Sequence, residues 1–172
     1  MSDANVLVAY ASQTGSTAAI AGTIAAELRR SGLSVDCRPA SDVRDLSGYS
    51  AIVLGSGVFL ARRMSDGGGF IARHGAALGA RRVWLFAAGP IGRGRTGAGG
   101  TAEDIGVMHV ARGIGARGAA TFGAIDPSAG SDPLDGLEPT NQARVRGWAR
   151  TIAADLMASE PSMVRQTRVA NA

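Results

Sequence analysis

A short apolar segment near the start of the chain leads into a loop of hydroxyl and glycine residues and then into a helix. The stretch reads Val6-Leu7-Val8-Ala9-Tyr10-Ala11-Ser12-Gln13-Thr14-Gly15-Ser16-Thr17, and its loop is Ser12–Thr17. A short apolar run without alternation is typical of a strand buried on both faces of a parallel sheet. After the loop, Ile20, Ile24 and Leu28 recur every four residues, which predicts an amphipathic helix. This order predicts the first unit of an α/β fold.

The loop has the donors that a phosphate group needs. Hydroxyl groups and unpaired backbone N–H groups meet at the start of the helix, where the helix dipole also favours negative charge. No Gly-Lys-Ser/Thr follows, and all 18 basic residues are arginine, so this is not the phosphate loop of nucleotide hydrolases. Without a lysine, the loop suits a bound monophosphate better than a triphosphate that is cleaved. An ordinary strand–turn–helix with a hydroxyl-rich cap is the alternative interpretation.

Strand-like and helix-like segments alternate along the rest of the chain. The sequence predicts further strands at Leu33–Cys37, Ala51–Gly55, Arg82–Ala87 and Ala119–Ile125, and further helices at Phe70–Leu78, from Thr101 onwards, and at Asn141–Met157. One helical turn is expected at Val43–Leu46 and a loop at Asp126–Thr140, and the helix after Thr101 is expected to turn Ile105 and Met108 inward. With right-handed crossovers, this alternation predicts a doubly wound five-stranded parallel sheet of order 2-1-3-4-5, with helices on both faces.

Composition is that of an ordinary globular domain. The chain has 172 residues, of which 45% are hydrophobic and 19% charged. We expect one domain over residues 1–158 and a tail without periodicity over residues 159–172. No apolar run approaches the ~20 residues of a membrane helix, no basic-then-apolar leader is present, and Cys37 is a single cysteine. These features predict a cytoplasmic protein with no transmembrane segment.

The basic balance does not favour nucleic-acid binding. The net charge is +4, but the arginines do not interleave with aromatic residues, which make up only 5% of the chain. His74 and His109 are isolated, with no second ligand at metal spacing, so no metal site is predicted. The segment Gly92–Gly97 matches G-x-G-x-x-G, but it lies beyond Pro90, away from the first strand turn, and is interpreted as a flexible loop.

At the first loop the chain resembles a known family. The pattern Tyr10-x-Ser12-x-x-Gly15-x-Thr17-x-x-x-Ala21 resembles the flavodoxin signature, whose hydroxyl-rich loop wraps the phosphate of FMN. Ala9 departs from that signature, since a larger apolar residue is usual there, but it lies in the strand and not in the loop. The resemblance implies a flavodoxin-like fold, FMN as the cofactor, and a flavoprotein function in electron transfer or oxidoreduction.

Segments later in the chain resemble one group within the flavodoxin-domain family. Gly55–Phe59 with the arginines that follow, Val83–Phe86 leading to Gly89-Pro90, and Trp148–Arg150 are similar to the flavodoxin-domain family that includes quinone-dependent protoporphyrinogen dehydrogenase. The Trp and Tyr that flank the flavin in electron-carrying flavodoxins are missing from the loops. That absence implies an open flavin ring and favours a bulky substrate.

The resemblance assigns the cofactor contacts to three loops that meet where the strand order reverses. The first holds the phosphate, the second borders the isoalloxazine ring, and the third offers backbone amides to the pyrimidine end of that ring. Phe59 lies either against the ring or in the core beneath the loop. The predicted cofactor-binding residues are Ser12, Gln13, Thr14, Gly15, Ser16 and Thr17, then Ser56, Gly57, Val58 and Phe59, and finally Ala87, Ala88, Gly89 and Pro90. No catalytic side chain is assigned, because the flavin itself carries the redox chemistry.

Four arginines fall on the loops that would rim the flavin: Arg62, Arg63, Arg93 and Arg95. They are interpreted either as a solvated surface or as a positive collar that binds substrate carboxylates. Three functions therefore stay open. They are an FMN oxidoreductase acting on a small organic substrate such as protoporphyrinogen with a quinone as acceptor, an electron-transfer flavodoxin with a redox partner protein, and a non-enzymatic flavin-binding interaction module.

Overall fold

The computed structural model describes residues 5–12, 15–56, 66–89, 102–123 and 134–158. Within these residues, five strands alternate with four α-helices and one 3₁₀ turn. The strands are β1 (Asn5–Ala11), β2 (Ser34–Pro39), β3 (Ala51–Ser56), β4 (Arg82–Gly89) and β5 (Gly118–Gly123). The helices are α1 (Ser16–Arg30), α2 (Asp66–Gly79), α3 (Ala102–Gly113) and α4 (Pro139–Ala158), and the 3₁₀ turn is Ala40–Asp42.

The sheet has the predicted topology. All strand pairs are parallel and the order is β2-β1-β3-β4-β5, which confirms the predicted doubly wound sheet. After β2 the chain crosses to the other side of β1, so the order reverses between β1 and β3. Ala11 of β1 lies beside Ser56 of β3, which lies beside Ala87 of β4. The carboxyl ends of these three strands therefore line up at one edge of the sheet.

Two core layers cover the two faces of the sheet. Helices α1 and α4 pack on the face that includes Val6 and Val8, and α2 and α3 pack on the face that includes Leu7. Successive side chains of a strand point to opposite faces, so β1 is buried on both sides, as predicted. The stripe of Ile20, Ile24 and Leu28 along α1 is fully buried, which confirms the predicted amphipathic helix.

One of the predicted local elements is wrong, and another is longer than predicted. The helical turn expected at Val43–Leu46 lies instead at Ala40–Asp42, and Val43 and Leu46 serve as buried anchors in a non-helical connection. Helix α2 spans Asp66–Gly79, so it contains the helix predicted at Phe70–Leu78 and starts four residues earlier. Burial of Phe70 against the sheet stabilises this helix, although three glycines in its first turns cost up to about 1 kcal/mol each relative to alanine.

The expected inward position of Met108 on α3 is also wrong. Met108 is 43% exposed, whereas its neighbours Val107 and Ala111 are buried against the sheet. The inward face of the helix is therefore turned by one residue from the expected one. The side chain of Ile105 lies outside the residues that the structure describes.

The end of the predicted Asp126–Thr140 loop is anchored in the core. Leu134 and Leu137 are buried, and the Gln142 side-chain amide donates to both of their carbonyl groups, at 3.0 Å and 2.9 Å. This segment is thereby tied to α4. Residues 124–133 and the predicted tail at 159–172 lie outside the described part of the chain.

A buried carboxylate links α1 to α4. The Glu27 side chain is only 5% exposed; Arg30 Nη1 donates to its Oε1 at 2.5 Å, and Arg150 Nε on α4 lies 3.5 Å from its Oε2. Burial raises the pKa of Glu27, but the hydrogen bond and charge of Arg30, with the charge of Arg150, outweigh it and leave the pKa below its ordinary value. Glu27 is therefore ionised at neutral pH.

We expect Glu27→Gln to lower the free energy of unfolding by about 1–3 kcal/mol at neutral pH, since two guanidinium groups lose their charged acceptor. A carboxyl whose pKa is lower in the folded state stabilises the fold above its unfolded-state pKa, and this contribution is lost as the pH falls through the folded-state pKa. The difference in stability between wild type and variant should therefore shrink in acid. Urea unfolding at neutral and at acidic pH measures this difference, and a pH-independent value would contradict the charge-based explanation.

Candidate functional site

The turn between β1 and α1 depends on Gly15. This residue caps α1 with φ 90° and ψ −23°, in the left-handed region where glycine is unstrained. Its N–H donates to Ser12 Oγ at 3.0 Å, and its carbonyl accepts the N–H of Ala19 at 3.0 Å. Because Ser12 Oγ accepts the glycine N–H, its own proton can be donated to another group. The turn thus places a hydroxyl donor at the start of α1.

The first turn of α1 has the properties of an anion site. Thr17 is 2% exposed and Ser16 is 6% exposed. By the geometry of a helix, the N–H groups of Thr17 and Ala18 have no carbonyl acceptor within α1. No acidic residue occupies this turn, so no carboxylate of the helix competes for these donors. A phosphate placed here would meet hydroxyl groups, backbone N–H groups and the positive end of the helix dipole.

The structure brings the described site residues to one edge of the sheet. Ser12, Gly15, Ser16 and Thr17 follow β1, Ser56 ends β3, and Gly89 ends β4 after the buried Ala87 and Ala88. This edge is where the strand order reverses, the usual place for a ligand in such a sheet. Gln13, Thr14, Gly57, Val58, Phe59 and Pro90 lie outside the described residues, as do Arg62, Arg63, Arg93 and Arg95.

A ring contact that sequence reasoning missed supports the base of the second loop. Gly55 of β3 pairs in register with Phe86 of β4, and a Cβ built on Gly55 would lie within 2.7 Å of three ring carbons of Phe86. The ring therefore lies flush against the β3 backbone one residue before Ser56. A glycine inside an apolar strand is the only signal of this contact in the sequence, and it does not say which side chain covers the glycine.

Two further rings hold Phe86 in place. Its ring centroid lies 6.3 Å from that of Phe122 on β5 and 6.3 Å from that of Trp148 on α4, and the last two are 5.7 Å apart. Tilted and edge-to-face pairs at these separations are favourable beyond the apolar area they bury. Trp148 on α4 is therefore linked through the Phe86 ring to Gly55 of β3, the strand that leads into the second loop.

Tyr10 lies on β1 just before the first loop and is half-buried against the α1 side of the core. Burial raises the pKa of the Tyr10 phenol, and the Cys37 thiolate that forms in alkali and the charge of Asp42 raise it further. The phenol therefore keeps its proton at neutral pH. Tyr10 is a neutral support for the loop and not a base.

The two histidines do not form a metal centre within the described residues. His109 is exposed, and His74 packs with its ring centroid 4.7 Å from that of Phe70. Across the described ranges, no group of three or more His, Cys, Asp or Glu side chains converges as metal ligands would. In the same ranges, no helix combines the length and the apolar character that crossing a membrane requires.

The chain matches a family model and several solved structures. The model of the flavodoxin domain matches residues 7–108. A comparison with curated proteins found no match. An archaeal flavodoxin is 16% identical with a TM-score of 0.63, covering 89% of this chain and 99% of its own. The two-electron reduced flavodoxin of Megasphaera elsdenii is 19% identical with a TM-score of 0.63, covering 87% of this chain and 98% of its own.

A larger protein contains the same fold as one part. The Flv1 flavodiiron core from Synechocystis sp. PCC6803 is 16% identical with a TM-score of 0.68, and the match covers 92% of this chain but 37% of that one. At these identities the likeness establishes the fold. This chain therefore spans nearly the whole of the flavodoxins but only about a third of the flavodiiron core.

The described residues suit FMN, the cofactor of flavodoxins, as the sequence predicted. The glycine-capped turn and the buried Thr17 match a monophosphate in charge and in donors, and the aligned strand ends at Ala11, Ser56 and Ala87 offer small residues beside it. The strand order, its reversal beside the first loop and the family match over residues 7–108 are all those of a flavodoxin domain. The chain belongs to the flavodoxin-domain family of FMN-binding flavoproteins.

Proposed function

We propose that this protein is an FMN-dependent oxidoreductase that holds the FMN phosphate in the turn between β1 and α1. The observation that supports it is the start of α1: a glycine cap, a buried Thr17 and no acidic residue in the first turn, at the edge where the strand order reverses. Bound FMN supplies the redox chemistry by accepting and donating electrons.

The residues of the chain bind and orient the cofactor. The hydroxyls of Ser12 and Thr17 and the backbone N–H groups of Thr17 and Ala18 would hold the phosphate, with Gln13, Thr14 and Ser16 completing the loop. The segments Ser56–Phe59 and Ala87–Pro90 would border the flavin ring. The Phe86 ring packs against the Gly55 backbone and would thereby hold the start of the Ser56–Phe59 segment in place.

The narrower proposal concerns the electron donor. We propose an organic substrate that carries carboxylates, of the protoporphyrinogen type, with a quinone as acceptor. It is supported by Arg62, Arg63, Arg93 and Arg95 on the segments after β3 and β4, since guanidinium groups bind carboxylates bidentately. The second candidate is an electron-transfer flavodoxin with a protein partner, which is favoured by the match to nearly full-length flavodoxins.

One preparation tests the cofactor and separates these functions. We expect the purified full chain to be yellow and to release FMN, and not FAD, in acid. A colourless protein that also ignores added FMN would contradict the proposal. After anaerobic reduction, reoxidation by a quinone and turnover with protoporphyrinogen would support the narrower proposal. Fast one-electron exchange with neither of these activities would identify a carrier.

The arginine collar has its own test. Replacing Arg62 and Arg63 together with alanine should raise the KM for a dicarboxylate substrate by about tenfold, since charge-assisted bonds to the carboxylates are lost. The matched control replaces Arg73 on α2 and Arg112 on α3, two exposed arginines in helices, with alanine. Steady-state kinetics measures the KM of both double variants. Equal KM values would contradict the hypothesis that Arg62 and Arg63 bind substrate carboxylates.

A further inference from the structure

The arginines around Glu27 exceed what one buried carboxylate needs. Besides Arg30 and Arg150, Arg146 Nη1 lies 3.7 Å from Glu27 Oε1. One ionised carboxylate thus faces three guanidinium groups. Because a guanidinium stays charged at any physiological pH, and Arg30 and Arg150 share this one carboxylate, positive charge is in surplus at this seam between α1 and α4.

The surplus charge lies at the surface in a fixed geometry. The side chains of Arg30 and Arg150 are 67% and 65% exposed, although each contacts the buried Glu27. Among the described residues, Glu27 is the only carboxylate that Arg30 and Arg150 contact. Each guanidinium therefore has one edge held by Glu27 and further N–H groups directed at solvent, where a partner's carboxylate could accept them.

Along α4 an apolar side chain accompanies these arginines. Met157 is 44% exposed and lies seven residues after Arg150, two helical turns further on the same face. Arginine and methionine are both enriched in protein–protein interfaces. We call the group Arg30, Arg146, Arg150 and Met157 the α1–α4 arginine surface.

This surface is separate from the flavin site. Arg30 is the last residue of α1 and Thr17 lies in its first turn, so at about 1.5 Å per residue the two are about 20 Å apart along the helix. The phosphate turn lies at the carboxyl edge of the sheet, and the end of α1 lies towards the opposite edge. A partner held on the α1–α4 arginine surface would leave the flavin edge open.

We propose that the α1–α4 arginine surface docks an acidic protein segment, with carboxylates on Arg30 and Arg150 and an apolar side chain on Met157. Guanidinium forks bind the carboxylates of Glu and Asp bidentately, and the exposed Met157 beside them offers the kind of apolar contact that protein interfaces use. Trp148 of α4 packs inward against Phe86 and Phe122, so the described part of the surface offers no exposed aromatic ring on which bases could stack. The chemistry therefore favours an acidic protein partner over a membrane or a nucleic acid.

The test uses the full chain and a fluorescein-labelled peptide of repeated Glu-Glu-Leu, with a peptide in which Gln replaces Glu as the ligand control. Fluorescence anisotropy at low salt measures the affinity. The double variant Arg30→Glu, Arg150→Glu should lose affinity for the peptide by about tenfold or more. The matched control, Arg73→Glu with Arg112→Glu, makes the same charge change on exposed sites of α2 and α3, across the sheet, and should keep the affinity within about threefold.

A second variant separates fixed geometry from net charge. Glu27→Gln makes the surface more positive but frees the guanidinium groups from their anchor. We expect it to weaken binding of the peptide by about threefold, whereas attraction by net charge alone would strengthen it. Arg30→Gln with Arg150→Gln removes both charges without setting new carboxylates against Glu27 and should also weaken binding of the peptide, and urea unfolding of each variant checks that the fold is kept.

Four results would overturn the proposal. They are no binding of the Glu peptide, equal losses in the two charge-reversal pairs, tighter binding by the Glu27 variant, and tighter binding to phosphatidylserine-containing vesicles or duplex DNA than to the peptide. The proposal does not rest on the flavin chemistry. Affinities measured with and without FMN should agree, so a failure here is distinguishable from a failure of the proposed function.

Discussion

Replacing Thr17 with aspartate is expected to abolish FMN binding while the domain stays folded. The new carboxylate would stand in the first turn of α1, where the FMN phosphate needs donors. Two like charges about 4 Å apart repel by about 4 kcal/mol at an effective dielectric constant of 20, so we expect at least about a 100-fold loss of FMN affinity. The helix dipole and the free N–H groups of the first turn favour the same carboxylate and offset part of the cost of a charge at this buried position, so we expect the apoprotein to fold.

Three further variants show whether the position or the charge is responsible. Thr17→Ser keeps the hydroxyl and should bind FMN nearly as wild type does. Thr17→Val keeps the shape without the hydroxyl. Its affinity for FMN should fall by about tenfold, which corresponds to the loss of a hydrogen bond to a charged group. Ala26→Asp adds the same charge at an exposed site of α1, away from the turn, and should not change the affinity.

Titration of the apoprotein with FMN, followed by flavin fluorescence, measures all four affinities, and thermal unfolding checks the fold. If Thr17→Asp binds FMN like the wild type, the phosphate does not lie at the start of α1 and the proposed cofactor site is wrong.

Gly55→Ala is expected to be strongly destabilising, although it adds a single methyl group. The added Cβ would overlap the ring of Phe86, which is held in turn by Phe122 and Trp148 and cannot swing aside freely. Overpacking of a close-packed core costs about 1–3 kcal/mol, and the strand backbone on one side of this contact makes the upper end of that range the expected loss. FMN affinity should fall as well, because the segment proposed to border the flavin ring begins at Ser56, the next residue.

A double-mutant cycle identifies the cause of that loss. Phe86→Leu alone removes ring area and should destabilise, but it makes room for the new methyl group. The double variant should therefore be more stable than the sum of the single losses predicts, by about 1 kcal/mol or more. Gly22→Ala is the matched glycine control: no atom lies within 4 Å of its added Cβ, and it should raise stability by up to about 1 kcal/mol. Strictly additive losses in urea unfolding would mean that Phe86 is not the obstacle.

Part of the site was predictable because its residues are close together in the chain. Ser12, Gly15 and Thr17 lie within one turn, and local rules for glycine, hydroxyl groups and helix starts govern them. The turn proposed to hold the phosphate therefore follows from a stretch of six residues. The contact of Phe86 with Gly55 and the pairing of Glu27 with Arg150 join residues far apart in the chain, and no local pattern announces them.

The position of Met108 could not be predicted from the local pattern either, although it concerns a single helix. The periodicity of α3 allows several inward faces, and packing of Val107 and Ala111 against the sheet selects one of them. The 3₁₀ turn at Ala40–Asp42 was misplaced for a related reason, because buried Val43 and Leu46 resemble one turn of a helix when only their spacing is considered.

The sequence by itself determined the strand–helix alternation, the parallel sheet with its order, and the glycine-and-hydroxyl turn that leads into α1, because short-range backbone preferences and apolar periodicity act within a few residues. Tertiary structure alone decided which ring covers Gly55, which face of α3 turns inward, and where three arginines gather on one carboxylate. Those outcomes depend on how separate elements fit together in a close-packed interior, where contact is set by shape and distance in space and not by spacing along the chain.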